Sequence, residues 1–167
     1  MNPTKYILPA VYAALTSPPL AAVAGVQPKV YQYLPKGFKD VLYVQIKQPT
    51  ATKERGAQGC KSWSCTVLLD CVRLTQPGRS SSVAVDELAD LVSERLDGAR
   101  LYLGADLEAS PADVEQITPL DDAFDGEQVD IHRYLRVRFT VSQHTRTPGP
   151  VIPPNTAFPY TFPLTLA

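Results

Sequence analysis

The chain has 167 residues, with 16 Lys and Arg against 17 Asp and Glu and a formal charge of −1. Apolar residues make up 44% and charged residues 20%, which is too apolar for a fully disordered chain. The balanced charge removes any bulk attraction to nucleic acid, and three Cys with two His leave little material for a metal site or a catalytic triad.

Proline is the compositional outlier, at 16 residues against a usual content of about 5%. Pro3 to Pro49 and Pro148 to Pro163 hold all but Pro77, Pro111 and Pro119. Helix interiors and central strands both reject proline, so the regular core is expected over residues 40–147. The organisation that follows is a single α+β domain over 1–147 and an extended, apolar, Pro-rich arm over 148–167.

In chain order, Ile7, Val11, Ala14 and Leu15 recur at helical spacing and predict a short amphipathic helix ending before Pro18-Pro19. Lys5, the apolar run from Ile7 and the small residues Ala22-Val23-Ala24 also imitate a secretory signal with its cleavage site, which is kept as an alternative. Residues 6–28 lack charge, but Pro18-Pro19 interrupts them, so no membrane span is expected. Lys29–Leu34 reads as a short strand between Pro28 and Pro35. Val41–Gln48 alternates, with Leu42, Val44 and Ile46 on one face and Tyr43, Gln45 and Lys47 on the other. Pro49–Lys61, with Gly56 and Gly59, reads as a polar hairpin loop. Trp63–Leu74 reads as a strand buried on both faces.

Val85, Leu88, Val92 and Leu96 then line one side of a helix over Val83–Asp97. Ser80–Ser82 offer an N-cap, Asp86 and Glu87 sit in the first turn and Gly98 serves as the C-cap. A strand near Val114–Thr118 follows, and Ile131–Gln143 alternates with Leu135, Val137, Phe139 and Val141 facing inward. The predicted fold is α+β: a small antiparallel or mixed sheet of about five strands with two helices packed on one face.

No catalytic, cofactor-binding or metal site emerges. The cysteines lie at 60, 65 and 71 without a CxxC pair, and read as reduced thiols packed as small hydrophobes. Asp121-Asp122-Ala123-Phe124-Asp125-Gly126 resembles the start of a calcium loop, but Ala123 and His132 occupy the third and twelfth positions, where ligands are required. His132 begins a strand beside Asp130, with no nucleophile in sight, and reads as a structural histidine. An enzyme is not expected.

Charge is sorted along the chain. Residues 1–79 hold ten bases and three acids, residues 101–132 hold nine acids and no base, and no charged side chain follows Arg146. The arm beyond carries Val151, Ile152, Phe158, Tyr160, Phe162, Leu164 and Leu166. A solvated linker would carry polar residues instead, so these residues are candidates for docking on a neighbouring subunit or partner; folding back on its own domain is the alternative.

In element order the chain resembles the tail-completion, or tail-terminator, proteins that join tail to head in long-tailed bacteriophages. The residues carrying the resemblance are YILPAVYAALTSPPLAAVAG (Tyr6–Gly25), VYQYLPKG (Val30–Gly37), VLYVQI (Val41–Ile46), WSCTVLLDCV (Trp63–Val72), VAVDELADLVSERL (Val83–Leu96) and YLRVRFTV (Tyr134–Val141). The basic hairpin loop and the C-terminal arm depart from the family's compact layout. The resemblance implies a non-enzymatic virion protein, without cofactor, that assembles in the host cytoplasm. It would cap the tail tube as a homo-oligomeric ring, commonly a hexamer, and meet the tail tube protein and the head connector while DNA passes without specific binding. A DNA channel disfavours phosphate attraction, which makes Asp121, Asp122 and Asp125 candidate channel-lining acids. Another neck or head-closure component, or a secreted binding domain, are the rival readings.

Overall fold

The computed structural model describes residues 2–35, 41–54, 60–75, 82–117, 123–125 and 128–144. Two strands form its spine. β4 (Cys60–Thr75) and β9 (Gln128–His144) pair antiparallel without a break from Cys60↔His144 to Thr75↔Val129. At ~3.3 Å per residue the ribbon is about 50 Å long.

Shorter strands lie end to end along each side of this ribbon. On the β4 side, β2 (Leu42–Ile46) and β3 (Thr50–Glu54) are successive pieces of one long strand. The pairing passes from Ile46↔Leu69 to Thr50↔Thr66, so three residues face two and a bulge separates the pieces. Pro49, which lacks the N–H a ladder requires, falls in that bulge. On the β9 side run β6 (Leu107–Pro111), β7 (Asp113–Ile117) and β8 (Ala123–Asp125). A second bulge lies between β6 and β7, where the Ser110 hydroxyl accepts the Thr140 N–H at 2.9 Å and replaces a ladder bond. β1 (Lys29–Tyr31) adds in parallel to β2, and β5 (Arg100–Tyr102) closes the other edge against β6.

The sheet thus has nine strands among the described residues rather than about five. The α+β class holds. The added strands are short or polar: TATKE of β3 sits inside the stretch expected to be a loop, and LEASP of β6 ends in proline. Each is held by one neighbour on the long ribbon and needs little apolar content of its own.

α1 (Thr4–Thr16) and α2 (Val83–Leu96) share one core with the odd-numbered positions of β4 and β9. Ile7, Val11 and Leu15 of α1 are fully buried, as are Val85, Leu88, Val92 and Leu96 of α2. Residues 1–24, which the secretory alternative would remove, therefore supply part of this core. Pro9 is accommodated within α1 on its exposed side. Gly98 follows α2 at φ +70°, the left-handed conformation that terminates a helix. Ser82 holds the N-cap position through its backbone carbonyl, which accepts from Val85 and Asp86, and not through its hydroxyl. α2 also binds α1: Arg95 donates to the carbonyls of Ala14 (3.4 Å) and Pro18 (2.8 Å), groups left without helical partners at the end of α1.

Candidate functional site

The even-numbered residues of β4 and β9 point away from the helices, and Tyr43, Gln45 and Lys47 of the β2 segment share that face. At its centre lies Asp70, which register places between Gln45 on β2 and Tyr134 on β9. Asp70 is only 2% exposed, a buried acid on the face that alternation assigns to solvent.

Its charge is answered twice. Oδ1 lies 2.9 Å from Nδ1 of His132 and Oδ2 lies 3.2 Å from Nζ of Lys47. Lys47 also donates to the side-chain carbonyl of Gln45. The His132 ring stacks on Tyr134 with centroids 5.8 Å apart and planes inclined by 8°. Tyr31 meets Tyr43 edge-on at 6.2 Å, and Tyr43 is itself buried. These rings and stems exclude water from a carboxylate that a buried position would otherwise penalise severely.

The electrostatics follow from this packing. The hydrogen bond to Asp70 raises the pKa of His132, against the opposing effect of burial. Burial and the neighbouring Asp70 and Asp130 push the Tyr43 hydroxyl up to about 12. Further along the same face Glu115 takes Arg136 at 3.3 Å and Arg138 at 2.9 Å. On the opposite face Arg133 reaches Asp86 in the first turn of α2 at 2.5 Å.

His132 therefore has an orienting carboxylate, and it is Asp70, not the adjacent Asp130. The sequence signal was present as an acid inside an otherwise apolar strand, WSCTVLLDCV. Acid–base catalysis also needs a reacting group within reach of the imidazole. Cys65 and Cys71 lie on the helix-covered face, fully buried, and desolvation raises both thiols, that of Cys65 to about 11. No group of three His, Cys, Asp or Glu side chains suited to a metal ion occurs among the described residues. The arrangement neutralises a buried charge and fixes the β2–β4–β9 register.

Of the residues singled out from sequence, Asp121 and Asp122 lie outside the described residues, as do Val151, Ile152, Phe158, Tyr160, Phe162, Leu164 and Leu166. Asp125 is the last residue of β8, where its backbone pairs with that of Gln128 at the start of β9. No helix among the described residues is long and apolar enough to cross a membrane.

The molecule is an α+β protein whose polar cluster is built as a structural lock. No protein-family model matches the chain, and no curated protein is significantly similar in sequence. Among solved structures, the fold is similar to a chain of a "Virion of native gene transfer agent (GTA) particle". The TM-score is 0.54 at 18% identity, covering 79% of this chain and 92% of that one.

Proposed function

We propose that this protein is a structural component of a phage-like virion that caps the tail tube and joins it to the head connector as an oligomeric ring. The observation that carries the reading is the fold likeness to a chain of a gene transfer agent virion, which extends over nearly all of that chain. The resemblance in element order to tail-completion proteins supports that position in the particle.

Two further features support it. The basic first half and the acidic stretch over residues 101–132 suit a heterologous contact, in which one side of a subunit meets the other side of the next. The acids Asp121, Asp122 and Asp125 would face a lumen through which DNA slides without being held. Reversing all three charges is then expected to slow DNA passage while leaving the fold intact.

Electron microscopy of particles made without this gene tests the assignment. Filled heads lying apart from unattached, overlong tails are expected. Normal tails beside leaking heads would move the protein to the head side of the joint as a closure component. Intact infectious particles would refute the virion reading.

A further inference from the structure

A groove of about 620 Å³ runs between α1 and the edge strand β5. Small side chains, Ala13 and Ala14 among them, leave it open on the α1 side, and Leu103 continues the apolar surface on the other. Tyr6 and Tyr102 supply aromatic surface, and Tyr102 is 82% exposed. Arg100 is the single charged lining residue, and its guanidinium is engaged by Glu108 at 3.7 Å. β5 is the last strand of the sheet on this side. The surface is apolar, aromatic and positioned at an edge.

The path of the chain indicates what covers it. Tyr102 pairs with Glu108, and Glu108 with Ser142 near the end of β9. The exit of β9 and the groove are therefore two ladder steps apart, about 10 Å. Beyond His144 come three residues and then Pro148-Gly149-Pro150-Val151-Ile152-Pro153-Pro154, with no charged side chain after Arg146. Three extended residues cover about 10 Å. Seven residues in polyproline II conformation then cover about 22 Å, enough for the Tyr6–Ser17 side of α1, which rises about 17 Å.

We propose that this groove is the seat of the chain's own C-terminal arm, with Pro148–Pro154 laid along it. The groove offers this segment an alanine-lined side and the rings of Tyr6 and Tyr102. Proline-rich segments dock on aromatic-lined grooves because they lose little conformational freedom on binding. The short connection holds the arm at an effective concentration of about millimolar over this seat. The inference does not depend on where in the virion the protein acts.

Disulfide trapping in the full chain tests it. Ala13→Cys is combined with Val151→Cys in a Cys60→Ser background, where Cys65 and Cys71 are buried and unreactive. Lys53→Cys with Val151→Cys is the control, since Lys53 is exposed on β3 and lies two ladder steps from Val141 on the opposite side. The groove pair is expected to close within one molecule at least about ten-fold faster than the control. Equal rates would overturn the proposal. So would a disulfide that forms as readily when separate Ala13→Cys and Val151→Cys chains are mixed, which would assign the seat to a neighbour's arm. As a second readout, Ala13→Glu is expected to speed tryptic cleavage at Arg146 several-fold with the helical circular dichroism signal retained; unchanged cleavage in that folded variant would also overturn it.

Discussion

Nδ1 of His132 and Oδ1 of Asp70 stand 2.9 Å apart although 62 residues separate them in the chain. Asp70 is the hub of this contact, because its second oxygen takes Lys47. Replacing Asp70 by Ala leaves His132 without its acceptor and Lys47 without its counter-charge. Lys47 is part-exposed and can turn to water, so the loss is expected at about 3 kcal/mol, the lower end of the range for broken buried pairs. Asp70→Asn, which keeps an acceptor for the imidazole, is expected to lose less. Urea unfolding of both variants measures the difference.

The same contact makes stability depend on pH. His132 binds its proton more tightly folded than unfolded, so its contribution is fully present below the unfolded pKa near 6.5. It is lost as pH rises through the higher folded value. Stability measured by denaturant is expected to decline as pH is raised from about 6 into the alkaline range. His132→Gln should flatten that decline, and an unaltered slope would show that another group is responsible.

Arg95 ties the two helices together by donating to the end of α1. Its replacement by Ala strands two carbonyls and is expected to cost about 1–2 kcal/mol. Arg95→Lys should recover part of this, since both bonds come from the single Nη1 nitrogen and an ammonium also carries donors enough for two carbonyls, though on a shorter side chain. Thermal unfolding followed by circular dichroism distinguishes the two variants.

Thiol chemistry reports on the core. Cys65 and Cys71 are fully buried and their thiols are raised by desolvation. A Cys60→Ser chain at pH 8 is therefore expected to resist a thiol reagent while folded and to react at both positions once unfolded. Rapid labelling of the native chain would show that the helix layer opens far more readily than the packing indicates.

Elements with a strong internal rhythm were legible from sequence. The three-four-four spacing of Val85, Leu88, Val92 and Leu96 located α2 to within a residue, and the alternation through Leu135, Val137, Phe139 and Val141 located β9, which proves longer at both ends. Strands β3 and β6 were not, because each is short, polar and set beside a bulge, and owes its conformation to the ribbon beside it. The placement of Tyr43, Gln45 and Lys47 on one face was also readable, but their meeting with Asp70 and His132 depends on register across three strands. Periodicity assigns a residue to a face; it does not say which residue lies opposite.

The unbroken pairing of β4 with β9 has a consequence for how such a protein can change length. Because side chains alternate with period two, lengthening both strands by two residues at one level would move the two ends of the molecule apart by about 7 Å while every residue kept its side. Lengthening both by one would turn everything beyond that level over, sending the Asp70 side of the ladder into the helices. The spacing between the two ends of the subunit is therefore adjustable only in even steps, as on a notched rule.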